Sequence, residues 1–208
     1  MKIKLTLAIL VLPLMMEVLI GCDNGYDSPV REIEVSHCSL ELSELDNSGA
    51  APQLNYDDSI TREAFAIRAR IIRQEYSCRI EEGSNFHFIS SAMAIYPYQD
   101  YDYQFVPLEE ITSIRVQSVN QFGPDLPAGS DITDLFRVRS SQEFRYFTVE
   151  EYRSRMAIET FGYENRNLEF DMFLMEATDS HEEQQFKVII ELSDGRTLEA
   201  TTEPIYLV

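Results

Sequence analysis

The chain offers few residues with which to do chemistry. Its 208 residues include only three histidines, His37, His87 and His181, and three cysteines, Cys22, Cys38 and Cys78. Nucleophilic catalysis needs a base beside its nucleophile and a third group that orients the base. No Gly-x-Ser-x-Gly occurs. His37 adjoins Cys38, but neighbours on a strand point to opposite faces, so the two would not meet. His87 stands between Phe86 and Phe88 at the outward position of a strand, and His181 lies in a Ser-His-Glu-Glu loop. Scattered histidines make no metal site, and neither Cys38 nor Cys78 belongs to a Cys-x-x-Cys pair. Glycoside hydrolysis would need two carboxylates at a fixed separation, but among 36 acidic residues some pair is always available. The expectation is a protein that is not an enzyme, with no catalytic residues, no metal and no cofactor.

Binding chemistry is better represented. Tyr96, Tyr98, Tyr101 and Tyr103 interleave with Asp100, Asp102 and Gln104. Exposed tyrosine rings supply rigid contact area at protein interfaces and stack on the apolar faces of sugars. Rings packed on the sheet with their hydroxyls at its rim are the alternative. Asp100 with Asp102, or Asp131 with Asp134, could lend oxygens to a weak Ca²⁺ site, yet neither forms a full Asp-x-Asp-x-Asp-Gly loop.

Before any such site can act, the chain must reach its place. Met1-Lys2-Ile3-Lys4 followed by the apolar run Leu5–Ile20 has the charged and hydrophobic regions of a secretory signal. Pro13 and Glu17 interrupt a run already short for a membrane-spanning helix, which needs about 20 apolar residues. Leu19-Ile20-Gly21-Cys22 resembles a bacterial lipobox, which implies cleavage before Cys22 and lipidation of its sulfur. Residues 1–21 are then a signal peptide, 22–30 a polar tether and 31–208 a single domain. Without Lys2, Lys4 and Glu17 the mature chain has 15 basic and 35 acidic residues, net −20, and Lys187 is its one lysine. Such a charge argues against nucleic acid and anionic headgroups as partners, so the membrane anchor would be the lipid on Cys22. Cys38 and Cys78 would meet an oxidising compartment, where they could pair, or could remain two small thiols on separate strands.

The domain itself reads as strands. Ile33, Val35 and His37 share one side of a first strand that continues through Leu40 and Leu42. Phe65, Ile67, Ala69 and Ile71 alternate with Ala66, Arg68 and Arg70, with helix as the competing reading because Ala and Arg favour it. Ile114 and Val116, then Leu168, Phe170, Met172 and Leu174, then Phe186, Val188, Ile190 and Leu192 repeat the period of two. Ser130 is a candidate N-cap for one turn through Phe136, and Thr148 with Glu151 forms a capping box for a second short helix. Asp194-Gly195 is a hairpin signal, and Pro204 places the last strand at an edge. The fold class expected is all-β, mostly antiparallel, an immunoglobulin-like β-sandwich with one or two short helices.

Ile111-Thr112-Ser113-Ile114-Arg115-Val116, Leu126-Pro127-Ala128-Gly129-Ser130 through Phe136, the Ser193-Asp194-Gly195-Arg196 turn and the lipobox together resemble small uncharacterised lipoproteins of Bacteroidota, grouped as domains of unknown function. The resemblance implies an exported lipoprotein of the outer membrane and supplies no activity. Asp23 and Asp27 match only in part the acidic stretch that in that phylum often marks surface export, which leaves the periplasmic and surface sides both open. The reading is a lipid-anchored binding or assembly module of the cell envelope, contacting another envelope protein. A glycan-binding accessory lipoprotein of a polysaccharide-uptake system is the alternative.

Overall fold

The computed structural model describes residues 30–75, 77–78, 102–139, 145–156, 167–176 and 183–208. The chain divides into two compact units, Met1–Val30 with Met93–Asp102, and Arg31–Ala92 with Tyr103–Val208. Apart from Val30 and Asp102, every described residue belongs to the second unit.

Its elements are almost all strands: β1 (Val30–Asp46), β2 (Gln53–Leu54), β3 (Ser59–Ile60), β4 (Phe65–Glu75), β5 (Asp102–Pro107), β6 (Ile111–Ser118), β7 (Phe136–Arg139), β8 (Tyr146–Thr148), β9 (Leu168–Leu174), β10 (Glu183–Gln184), β11 (Phe186–Leu192), β12 (Thr197–Thr201) and β13 (Ile205–Leu207). Among the described residues one α-helix, α1 (Val149–Met156), follows β8. The large sheet runs β2-β1-β4-β9-β7-β8, with β5 also on β1. A three-stranded sheet, β12-β11-β6, supplies the second layer, and β10-β13-β3 forms a small third sheet. Only β13 with β3 is a parallel pair among those registered. The fold is the expected all-β, mostly antiparallel sandwich.

Burial decides β4 in favour of strand. Phe65, Ile67, Ala69 and Ile71 are buried in alternation, while Arg68 and Arg70 face outward. Pairing with β1 on one side and β9 on the other satisfies the backbone along most of the strand, which outweighs the modest helix preference of Ala and Arg. On β1 the buried positions switch from Val35 and His37 to Leu40, and the register with β4 shifts between His37 and Ser39. A bulge at Cys38 inserts one residue and so moves the inward face from odd to even numbers.

Phe186, at the start of β11, fastens the layers. Its ring lies 5.0 Å from Phe65 of β4, 5.9 Å from Phe136 of β7 and 6.0 Å from Phe122. Each such buried ring contributes about 2–3 kcal/mol by leaving water.

Three local expectations need amendment. Ser130 does not cap the turn after residue 130; Asp131 Oδ1 accepts from Thr133 N at 3.0 Å and Thr133 Oγ1 at 2.6 Å, and a single 3-10 turn spans Thr133–Leu135. In the β11–β12 hairpin, Gly195 N donates to Leu192 O, so Ser193 and Asp194 are the central turn residues and Gly195, at φ +88°, comes after them. That is the three-residue loop with a left-handed glycine. Pro204 falls in the break between β12 and β13, and β13 is the middle strand of its small sheet. The Thr148 capping box forms as read: Thr148 N donates to Glu151 Oε2 at 2.9 Å, and Glu151 N to Thr148 Oγ1 at 3.1 Å.

Candidate functional site

One end of the sandwich is polar where the alternation would predict apolar side chains. Ser36 and His37 on β1 and Arg73 on β4 are 3%, 2% and 3% exposed, and Glu109, in the turn between β5 and β6, is 9% exposed. The register sets His37 opposite Arg73. Buried polar groups must find partners, and here they find one another.

Glu109 is the hub. Its Oε1 accepts from Ser36 Oγ at 2.6 Å and from Arg196 Nη2 at 2.6 Å, and its Oε2 from His37 N at 3.2 Å. Arg196 arrives from the β11–β12 hairpin, placed by the turn at Gly195. Its Nε donates to Asp194 Oδ2 at 2.5 Å, and its Nη1 to His37 O at 2.9 Å and Cys78 Sγ at 3.3 Å. Asp194 foremost, and Glu109 beside it, hold the guanidinium pKa above its ordinary value. Cys38, at the β1 bulge, and Cys78 are joined by a disulfide with Cα atoms 5.1 Å apart. Two backbone bonds, Leu108 N to Val35 O and Ser193 N to Glu110 O, and one from Glu110 N to the Ser193 hydroxyl complete the junction. The β5–β6 turn, the β1 bulge and the β11–β12 hairpin are thereby tied at a single point.

His37 takes no part as a base for Ser36, whose hydroxyl donates to Glu109. Arg73 Nε donates to His37 Nδ1 at 3.4 Å, which leaves the ring proton on Nε2. Burial, reinforced by the Arg73 charge and opposed by Glu109, lowers the His37 pKa to about 4. Burial also lowers the Arg73 pKa to about 10. At neutral pH the pair is a neutral imidazole beside a guanidinium. Among the described residues no group of three or more His, Cys, Asp or Glu side chains is arranged to hold a metal. Asp131 spends its carboxylate on the Thr133 turn.

Of the residues singled out from the sequence, Cys38, Cys78 and His37 come together at this polar end. Cys22, Tyr96, Tyr98, Asp100, Tyr101, His87 and His181 lie outside the described residues, and Asp102 and Tyr103 enter only as backbone at the start of β5. Glu109, Arg196, Ser36 and Arg73 were not anticipated. Arg73 was findable, because it occupies the inward position next in the series Phe65, Ile67, Ala69 and Ile71. Glu109, in a turn, had no such signature.

Open grooves lie elsewhere among the described residues. One, of about 410 Å³, is lined by Asp46, Gln53, Leu54, Asn55, Tyr56 and Asp57, among others. Another, of about 320 Å³, lies beside α1, where the Arg145 and Arg155 guanidinium carbons sit 5.2 and 4.2 Å from the Phe147 ring centroid. Among the described residues no helix is long and apolar enough to cross a membrane.

Comparison with curated proteins and with solved structures finds no significant match. A family profile, described as a domain of unknown function (DUF5034), matches residues 37–203, a span that contains both bridged cysteines, Glu109 and Arg196. The match covers most of the chain and nearly the whole sandwich, and on that ground the chain belongs to the DUF5034 family.

Proposed function

We propose that the chain is an exported, lipid-anchored binding or assembly module of the bacterial outer membrane, of the kind found among Bacteroidota lipoproteins, and that it acts without catalysis of its own. The observation that carries this reading is the Cys38–Cys78 bridge in a chain whose start has the form of a lipoprotein signal. A disulfide persists in the oxidising compartment to which such a signal delivers a protein and is rare in the cytosol. Lipidation of Cys22 would hold the domain at the membrane, since each buried methylene contributes about 0.8 kcal/mol. Residues 22–30 would space it from the bilayer. Contact with another envelope protein would run through the Tyr96–Tyr103 segment, whose tyrosines suit an interface.

The test is intact-mass analysis of the membrane-bound protein, with subsequent affinity recovery from gently solubilised membranes. The reading expects a chain beginning at Cys22 with added acyl mass, and a stoichiometric partner that survives salt washing. Replacement of Tyr98, Tyr101 and Tyr103 by serine should abolish recovery of that partner while leaving the circular dichroism unchanged. A chain that retains Met1–Gly21 and carries no lipid would overturn the reading.

A second reading, glycan binding, gains support from one observation. Tyr56 is 87% exposed at the rim of the 410 Å³ groove whose walls carry Gln53, Asn55 and Asp57. An open ring beside amides and a carboxylate offers both a stacking surface and acceptors for hydroxyl protons. Saturable quenching of tyrosine fluorescence by an oligosaccharide, lost in Tyr56→Ala, would favour this reading over protein contact.

A further inference from the structure

The two sulfurs of the bridge have unlike surroundings. Cys78 Sγ receives Arg196 Nη1 at 3.3 Å, with Ser36 Oγ at 3.5 Å and His37 O at 3.3 Å. Cys38 Sγ sits 3.3 Å from the Ser36 carbonyl oxygen. A disulfide sulfur accepts a hydrogen bond weakly, whereas a thiolate accepts one strongly and is stabilised by a neighbouring cation. The guanidinium therefore stands where negative charge would collect if the bridge opened with Cys78 as the leaving sulfur. A carbonyl oxygen lies 3.3 Å from each sulfur, so the guanidinium beside Cys78 is what distinguishes the two.

Two carboxylates balance the two guanidiniums of the junction, so the bias is one of position rather than of net charge. Arg196 bonds Asp194 through Nε, Glu109 and Ser36 Oγ through Nη2, and His37 O and Cys78 Sγ through Nη1. The two carboxylates thus fix the guanidinium plane, and Nη1 is shared between the His37 carbonyl and the sulfur. His37 is neutral at pH 7, and Arg73, beside its ring, adds a second positive charge to the junction. Both cysteines are half-buried rather than sealed in the core.

We propose that Cys38–Cys78 is a thiol–disulfide exchange site with a fixed polarity, in which an external dithiol attacks Cys38 Sγ and Cys78 Sγ leaves toward Arg196. The attacking thiolate forms a new S–S bond with Cys38, the Cys38–Cys78 bond breaks, and its electron pair stays on Cys78. The second thiol of the reagent loses its proton to solvent and attacks the mixed disulfide. Cys38 leaves as a thiolate and takes up a proton. The dithiol has become a disulfide and the bridge a pair of reduced cysteines, a two-electron exchange. Among the tied segments, Cys78 holds on through this bond and through its contacts with β1 and Arg196, so exchange would release the Cys78 segment that follows β4 while Glu109 keeps the rest. The inference is independent of the envelope reading, because it concerns the folded domain in solution.

The native, oxidised protein decides the polarity. Limiting glutathione, an acid quench and peptide mapping should place the mixed disulfide on Cys38 with Cys78 free; an adduct on Cys78, or one shared equally, would overturn the proposal. A Cys38→Ser variant then tests the cause. Its Cys78 should react with iodoacetamide with a midpoint at least about one pH unit below the ordinary thiol value near 8.5. Arg196→Met in that background should return the midpoint to the ordinary value, and Arg196→Lys should keep it low. In the otherwise native protein, Arg196→Met should slow reduction by dithiothreitol about threefold or more, since a leaving thiol of higher pKa departs more slowly. A Cys78 midpoint at or above the ordinary value would contradict the assigned role of Arg196.

Discussion

Two arginine–carboxylate pairs on this sandwich have similar lengths and unlike settings. On the outer face of the large sheet, Arg68 meets Asp171 through two hydrogen bonds of 2.7 and 2.9 Å, held opposite each other by the β4–β9 register. At the polar end, Arg196 meets Glu109 at 2.6 Å. Each pair includes an arginine about one-third exposed, so the cation's own hydration does not separate them. The difference lies behind the carboxylate. Asp171 has a second arginine, Arg139, opposite it on β7 and stands on the solvent-facing side of the sheet, whereas Glu109 also serves a buried hydroxyl and a buried backbone N–H. Removing Asp171 frees groups that water can reach. Removing Glu109 strands groups that water cannot. An ion pair on an open sheet is worth little; one that closes a buried network is worth several times as much, because its loss exposes the desolvation of its neighbours.

The widest departure between the two regions should come from the bridge that only the polar end possesses. A Cys38→Ser, Cys78→Ser double variant, which reopens a separation of 40 residues, should lose about 4 kcal/mol in urea unfolding by the loop-entropy relation. Acid should come next and should also act at the polar end. The fold accommodates neutral His37, with a pKa near 4 against an ordinary 6.5, so on acidification the unfolded chain binds the proton first. That contribution is present in full above pH 6.5 and is lost as pH falls toward 4, on the order of 3 kcal/mol from 1.36 kcal/mol per pKa unit. In His37→Gln the slope of stability against pH in this window should flatten. Glu109→Gln, which keeps the shape and one acceptor but loses the charge, should destabilise by about 2 kcal/mol. The smallest change should be that of Arg68→Ala on the open sheet, about 0.5 kcal/mol and diminished further by salt.

Much of this architecture is readable in the sequence, and the exceptions have physical causes. Period-two alternation identifies β4, β9 and β11, because in a two-layer sandwich the inward face is set by burial alone. The switch from His37 to Leu40 is visible as a change of parity, and the bulge at Cys38 is its structural form. The capping box at Thr148 depends on residues three apart and so needs no tertiary information. Ser130 fails as a cap because the turn starts later, with Ile132 at its N-cap and Asp131 accepting from Thr133 in a local turn. The polar end is legible only in fragments. His37 and Arg73 stand at inward positions, but Glu109 and Arg196 lie 87 residues apart in two turns, and only the folded layers bring them together. Long-range pairing between loops leaves no periodic trace.

The buried network at Glu109 is energetically unlike the ladder on the open sheet, and a pair of double-mutant cycles measures that difference directly. One cycle combines Glu109→Gln with Arg196→Met and the other Asp171→Asn with Arg68→Met, each read by urea denaturation at pH 7. A coupling energy of about 1.5 kcal/mol or more is expected for Glu109 with Arg196, and below about 0.5 kcal/mol for Asp171 with Arg68. Equal couplings would contradict the distinction, and so would a larger value on the open sheet.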